Sequence, residues 1–357
     1  MAPLFDSVGF SWRRDSIPRQ LPRASIERAA FRFARMLPEY VWDAGVLEGN
    51  PFTFPEVKTL LDGVTVGGRK LSDQEQILNL AQSSKYLVGL VRQQEFNLDK
   101  ETFCDLHAQV ARNEALEWGH FRGEGPETQY TPDVAPGERG RYTPPTEPGA
   151  ERLNAIFSEG LAALTESVSN SFERATAFFL FGSLQQFFFD GNKRTSRFMM
   201  NGALMMEGID AVSIPAMRAA EFNSKMVEFY TTRDATQMMG FVLECHPEFS
   251  RIRELNPELS LVRDAPAFRH YRFDDPVPQA EQPSVPARRE PDMPVASHER
   301  RSEAPRARLS AEELRRRAVQ NWRRVYGPEA GTADPSNDRN EQDAPHRGRD
   351  TDLDPSG

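Results

Sequence analysis

The chain has 357 residues, and its hydrophobic residues make up 38% of them, a low share for a fully globular protein. Its formal net charge of −9 argues against wholesale binding to nucleic acid or to an anionic membrane. Cys104 and Cys245 are the only cysteines, too few for a disulfide framework and not spaced as a CxxC metal clip. We therefore expect a cytoplasmic protein that is unfolded in part.

The N-terminal half predicts helices joined by short loops. The first thirty residues carry five arginines and no long apolar run, so we expect neither a signal peptide nor a spanning helix. Ser25 is placed to cap a helix that continues to Leu37, and Ser72 with Glu75 has the pattern of a capping box that opens a helix through Leu90. Further helices are predicted over residues 101–117, 148–168, 170–187, 193–207, 216–231 and 234–245. The predicted fold class is mainly α.

A stretch rich in glycine and proline separates two groups of these helices. It runs from Gly119 to Gly149 and contains six prolines between those ends, which preclude a regular helix. We expect a long surface loop or a small hairpin. Loops of this length are often functional.

The residues from Ala175 to Leu184 are apolar around most of a helical circumference, so this helix should be central and buried. It brings Gln186 to a core-facing end. The chain then breaks at Asp190 and Gly191, and Asn192 is a good N-cap for a second helix that should stop at Gly208.

Three cations stand at the start of that second helix: Lys193, Arg194 and Arg197. A helix N-terminus already carries partial positive charge, so these residues oppose the helix dipole. Unpaired amides and cations together form an anion site, for which a polyphosphate is the obvious ligand. Asp190 beside it could hold Mg²⁺, which usually takes one or two carboxylates and completes its shell with phosphate oxygens and water. The alternative is an ordinary capped turn.

Large apolar residues thin out from Leu261 onward, and prolines and charges of both signs take their place. Such a segment cannot bury enough apolar surface to offset its chain entropy. We predict a mostly disordered tail over residues 251–357, with a short helix near residues 310–326 capped by Ser310. That helix is either a marginal element of a solvated tail or a docking or secretion signal.

The run from Gln186 to Arg197 resembles the motif HxFx[DE]GN[GK]RxxR of the Fic (Fido) family at every specified position except the first. The resemblance extends over about residues 25–248. The segment from Leu47 to Thr53 is similar to the family's IEGNxLT segment, and the segment from Val64 to Gly68 is similar to its TIGG segment.

The resemblance implies a Fic-type helical bundle with a small β-hairpin flap around Arg141-Tyr142-Thr143. It divides the chain into an N-terminal segment (residues 1–55), a Fic core (residues 56–250) and the tail. Most such proteins transfer AMP from ATP to a hydroxyl of a target protein. The implied ligands and partners are ATP or a related nucleotide, Mg²⁺ and an unidentified target protein, and a homo-oligomer stays open. The implied site residues are Asp190 for the metal, Gly191, Asn192 and Lys193 as an anion nest, Arg194 and Arg197 for phosphate, and Tyr230 at the nucleotide pocket.

Glu48 resembles the inhibitory glutamate of family members in which a regulatory helix precedes the core. There the carboxylate pairs with the second motif arginine, here Arg197, and competes with the γ-phosphate for the same charge-assisted hydrogen bonds. The family pattern [ST]xxxE[GN] is broken by Ala44, which stands where the hydroxyl belongs. The alternative is a surface acid that opens a Gly-Asn turn.

Gln186 stands at the position of the family's catalytic histidine. A neutral amide cannot take a proton near pH 7. Three interpretations follow: an enzyme that uses substrate, water or a carboxylate as its base, a nucleotide-binding pseudoenzyme that acts through a partner in a regulatory or toxin-antitoxin-like role, and an interaction module with an empty loop. The intact Asp190, Asn192, Arg194 and Arg197 disfavour the third.

Overall fold

The computed structural model describes residues 4–132 and 143–259, and this part of the chain is almost entirely helical. Its helices, in chain order, are α1 (Leu4–Val8), α2 (Ile26–Arg35), α3 (Leu37–Leu47), α4 (Phe54–Leu61), α5 (Leu71–Gln93), α6 (Lys100–Val110), α7 (Glu151–Ser167), α8 (Ser171–Gln185), α9 (Asn192–Met206), α10 (Ala219–Thr232), α11 (Thr236–Glu244) and α12 (Phe249–Leu255).

The mainly α prediction is confirmed. Within the described residues, β structure is limited to one isolated bridge between Ser11 and Asp234. The predicted flap residues Arg141 and Tyr142, the tail from residue 260 and the helix near residues 310–326 lie outside the described residues. None of the described helices is both long and apolar enough to span a bilayer.

Helix α8 is the centre of the fold. All of its 15 residues except Arg174 are buried, as the all-round apolar pattern predicts. It packs against α9 with an approach so close that a Cβ on Gly182 would lie 2.2 Å from the Ser196 Oγ. This contact places the loop between the two helices at a fixed corner.

A cluster of buried phenylalanines packs against the loop between α8 and α9. Phe103 of α6 is fully buried and lies within 4.8 Å of the Phe188 ring centroid and 6.1 Å of the Phe187 centroid. Edge-to-face contacts of this kind add to the energy of apolar burial. The loop that follows α8 is therefore anchored in the core through its own aromatic residues.

One predicted helix start is wrong in detail. Helix α5 begins at Leu71 after Lys70 with no capping side chain, so the Ser72–Glu75 pattern is not a capping box. The reciprocal box forms instead at Thr53 and Glu56, at the start of α4. The Ser25 cap is confirmed, since its hydroxyl accepts from the Arg28 amide at 3.2 Å.

Candidate functional site

The loop between α8 and α9 turns through two left-handed residues. Gln186 ends α8 with φ 52°, and Gly191 precedes α9 with φ 73°. Such values suit glycine and are uncommon for other residues, so Gln186 is held there by its contacts. A Cβ on Gly191 would also approach the Ala111 Cβ to 3.1 Å, which leaves little room for a larger residue.

Asn192 is the first residue of α9 and not its N-cap, which corrects the sequence prediction. Its side chain points back into the loop, where Oδ1 accepts from the Phe188 amide at 2.9 Å and Nδ2 donates to the Phe188 carbonyl at 2.8 Å. The same Nδ2 donates to the Gln186 Oε1 at 3.0 Å. Asn192 therefore shapes the loop rather than the end of the helix.

Both polar atoms of the Gln186 side-chain amide form hydrogen bonds. Its Oε1 accepts from Asn192, and its Nε2 donates to the Ser183 carbonyl at 2.6 Å. The backbone partners of Asn192 fix which atom is the donor, and this assigns the orientation of both amides. Gln186 is thus a clamp between the last turn of α8 and the first residue of α9.

The start of α9 has the features of an anion site. No side chain caps it, and its first amides have no intrahelical acceptor. Arg194 and Arg197 are nearly buried, with 3% and 8% of their surface exposed. Buried cations at an uncapped helix start favour an anionic ligand.

Glu48 lies against these cations, directly after the last residue of α3. Its carboxylate is 3.6 Å from the Arg197 Nη2 and 3.5 Å from the Lys193 Nζ. Burial opposes ionisation of Glu48, but Lys193, Arg197 and Arg194 outweigh it and hold its pKa below the ordinary value. Glu48 is therefore an anion that already occupies the candidate site.

The contact with Glu48 holds the Arg197 guanidinium only loosely. Both of its terminal nitrogens are buried and have no hydrogen-bond partner in the part of the chain that the structure describes, because the contact with Glu48 is too long for one. Burial lowers the pKa of Arg197, and Glu48 partly offsets this. Unsatisfied buried donors are costly, so an acceptor with better geometry would bind here favourably.

Asp190 is exposed, with 66% of its side chain accessible. Its Oδ1 accepts from the Gly191 amide at 2.6 Å and lies 3.8 Å from the Arg194 Nη2. A single accessible carboxylate beside this candidate anion site fits Mg²⁺, which needs few protein ligands when phosphates are present. Among the described residues, no group of three or more acids, histidines and cysteines could hold a metal alone.

Tyr230 of α10 reaches the same corner. Its hydroxyl donates to the Ser183 carbonyl at 3.3 Å, the same oxygen that Gln186 uses. Burial raises its pKa strongly, and the nearby Glu48 adds to this. The neutral phenol thus shares the Ser183 carbonyl with Gln186 and is close enough to Glu48 to be affected by its charge.

His107 of α6 lies against the loop that carries Asp190. Its Nδ1 accepts from the Gly119 amide at 3.1 Å, so the proton is assigned to Nε2, which donates to the Asp190 carbonyl at 2.9 Å. Burial lowers its pKa to about 3. His107 is neutral at physiological pH and has its acceptor nitrogen engaged, so it braces the loop and is not a base for the site.

Arg122 is a second support without a signal in the sequence. It is fully buried, and its guanidinium donates to the Gln186 carbonyl at 2.6 Å, the Pro144 carbonyl at 2.5 Å and the Thr146 hydroxyl at 2.7 Å. It therefore connects the candidate site to the end of the long loop between α6 and α7.

Asp43 fixes the helix that carries Glu48. Its carboxylate accepts from the Ser213 hydroxyl at 2.7 Å and from the Ala216 amide at 2.8 Å. Burial nonetheless raises its pKa to about 6. The folded state therefore binds a proton more tightly than the unfolded chain does.

We predict that the raised pKa of Asp43 lowers the free energy of unfolding as pH rises. The contribution of Asp43 to stability is fully present below its unfolded pKa, near 4, and is lost as pH rises through 6, by on the order of 2–3 kcal/mol. Urea unfolding of wild type and Asp43→Asn between pH 4 and 7.5 measures it. The difference in unfolding free energy should shift in favour of the variant as pH rises, and a constant difference would contradict the prediction.

Comparisons with known proteins find Fic proteins similar to the chain. No family model matches the chain. It is 25% identical over 214 residues to a protein named protein adenylyltransferase Fic from Drosophila grimshawi, and 23% identical over 186 residues to one of the same name from Nematostella vectensis. The chain is therefore similar in sequence to Fic proteins. The matches cover 58% and 49% of this chain, but only 41% and 39% of those relatives, so the chain spans about two fifths of their length.

Solved Fic structures are also similar to the chain. Fic-1 from C. elegans (residues 134–508) matches with a TM-score of 0.47 and 18% identity, over 71% of this chain and 68% of that one. A Fic family protein from Desulfovibrio desulfuricans matches with a TM-score of 0.46 and 16% identity, over 70% and 79%. The predicted resemblance to the Fic family is confirmed by the sequence relatives.

Proposed function

We propose that the chain is a nucleotide-binding Fic protein that holds ATP or a related nucleotide at the start of α9. The observation that carries the proposal is the buried Arg197 guanidinium, whose terminal nitrogens lack hydrogen bonds beside an uncapped helix start. Phosphate oxygens would satisfy these donors in bidentate geometry. The names of the relatives, protein adenylyltransferase, support ATP as the nucleotide.

Each residue of the site has a role in this proposal. Phosphates are bound by the amides of Asn192 and Lys193 and by the guanidinium groups of Arg194 and Arg197. Tyr230 lines the site on the side formed by α10. Asp190 would hold Mg²⁺, which when bound neutralises phosphate charge. Glu48 occupies the position that the terminal phosphate needs, so it limits the pose of the bound nucleotide.

The clamp formed by Gln186 favours a second candidate, a pseudoenzyme that binds nucleotide and acts through a partner. Gln186 has no lone pair able to take a proton near neutral pH, and its amide is already tied to Ser183 and Asn192. Loss of a general base costs on the order of 10²- to 10⁴-fold in rate. We therefore expect wild type to show weak AMP transfer or none.

Removal of Arg197 tests the phosphate site. Arg197→Ala should weaken the binding of Mg-ATP by about 10- to 100-fold, because one charge-assisted bidentate contact is lost. Calorimetry measures the affinity. Arg174→Ala is the matched control, since that arginine also pairs with a glutamate, Glu207, near the opposite end of α8. Equal affinities of wild type and Arg197→Ala would place the phosphate site elsewhere.

A further inference from the structure

Arg194 is paired with an acid that lies outside the motif. Glu114, in the turn after α6, accepts from the Arg194 Nη1 at 2.6 Å. Its side chain is 14% exposed, and that of Arg194 is 3% exposed. Burial lowers the pKa of Arg194, but Glu48, Glu114 and Asp190 together outweigh it. This is the shortest contact that any motif cation makes with an acid in the described residues.

With Glu114 included, the charges around the phosphate site balance. Three cations, Lys193, Arg194 and Arg197, lie within 4 Å of three acids, Glu48, Glu114 and Asp190. Each acid that faces a motif cation competes with a phosphate for it. Glu48 competes for Arg197, and Glu114 competes for Arg194 by the same chemistry and at a shorter distance.

Glu114 is held in place by two amides of α5. The Gln76 Nε2 donates to its Oε2 at 2.9 Å, and the Asn79 Nδ2 donates to its Oε1 at 3.3 Å. Gln76 in turn accepts from the Asn50 Nδ2 at 2.9 Å. Asn50 lies two residues after Glu48, so hydrogen bonds through Gln76 link Glu114 to the turn that follows Glu48.

We propose that Glu114 is a second internal inhibitor of the phosphate site, acting on Arg194 as Glu48 acts on Arg197. This proposal rests on the proposed function, because it assumes that phosphates bind at Arg194 and Arg197. It assigns a role to the acids that offset the three cations at the uncapped helix start. It also means that removal of Glu48 alone opens only half of the site.

Affinity for ATP tests the proposal. Glu114→Gln keeps the side-chain volume and removes the charge, so it should bind Mg-ATP about 10-fold more tightly than wild type. Adenosine, which carries no phosphate, should keep its affinity. Combination with Glu48→Gly should give tighter ATP binding than either single variant.

The design separates the effect from general damage to the fold. Glu114→Ala removes the charge without an added amide beside Gln76, and it should also tighten ATP binding. Glu173→Gln is the matched control: it neutralises another buried acid, which pairs with Arg14 at 2.7 Å at the start of α8, and should leave affinity unchanged.

One set of results would contradict the role of Glu114 alone, and another would contradict the proposed function as well. If Glu48→Gly tightens ATP binding but neither Glu114 variant does, or if the double variant binds no more tightly than Glu48→Gly, then Glu114 is not an inhibitor and the phosphate site stands. If ATP binds none of the proteins, the proposed function falls and the role of Glu114 falls with it.

Discussion

Replacement of Gln186 by histidine, together with Glu48→Gly, should convert the chain into a self-modifying AMP transferase. The expected gain over wild type is on the order of 10²- to 10⁴-fold, the usual contribution of a general base. A histidine at position 186 supplies a nitrogen that can take the proton of an attacking protein hydroxyl. The hydroxyl oxygen then bonds to the α-phosphorus of ATP, and pyrophosphate leaves. Removal of Glu48 frees Arg197 for the terminal phosphate.

Mass spectrometry of the purified protein after incubation with Mg-ATP measures this gain as added AMP. Adding Arg197→Ala to the double variant should abolish it, since the phosphates are then held less firmly. Strong transfer by wild type that survives Gln186→Ala would show that another group is the base. A double variant that binds ATP and transfers nothing would favour the pseudoenzyme, whose partner would then be sought at the loop over residues 119–149.

The local features of this corner could be predicted from the sequence. The all-round apolar pattern predicts that α8 is buried, and Gly208 at φ 68° follows the end of α9 as expected. The position of Glu48 beside Arg197 follows from the resemblance and agrees with their 3.6 Å contact. These features depend on periodicity, on backbone conformation or on a short motif, all of which a single sequence records.

The supports of the site could not be predicted in this way. Glu114 precedes Arg194 by 80 positions, and Arg122 precedes Gln186 by 64. No periodic pattern marks such a pair, because each partner is selected by the packing of α6 and the long loop against α8 and α9. The sequence alone also does not distinguish a buried arginine from an exposed one, so the burial of Arg122 could not be predicted.

The failed helix caps have a related cause. The Ser72–Glu75 spacing matches a capping box as well as Thr53–Glu56 does, yet only the latter forms. Helix α5 starts one residue earlier than Ser72, which places that serine inside the first turn. Asn192 is drawn away from the capping role by the Phe188 backbone and Gln186. Tertiary contacts decided both outcomes.

Loss of Arg122 should be among the most destabilising single changes in the described part of the chain. In Arg122→Leu the Gln186 and Pro144 carbonyls and the Thr146 hydroxyl lose their donor, and each buried unpaired group costs about 1–3 kcal/mol. Burial lowers the pKa of Arg122 to about 10, so the charge itself is held at a cost that the variant relieves. We expect a net loss of about 2–4 kcal/mol, measured by urea unfolding.

The same variant should also act on the candidate site, because Arg122 joins Gln186 to the loop that ends near Thr146. Release of that loop should make residues 119–149 more susceptible to limited proteolysis and should weaken Mg-ATP binding. Arg152→Leu, a change of the same chemistry at an exposed position of α7, should alter neither stability nor proteolysis by a comparable amount. If Arg122→Leu unfolds at the same urea concentration as Arg152→Leu, the three hydrogen bonds contribute no net stability, and the loop is held by apolar packing around Phe121 and Phe187 instead.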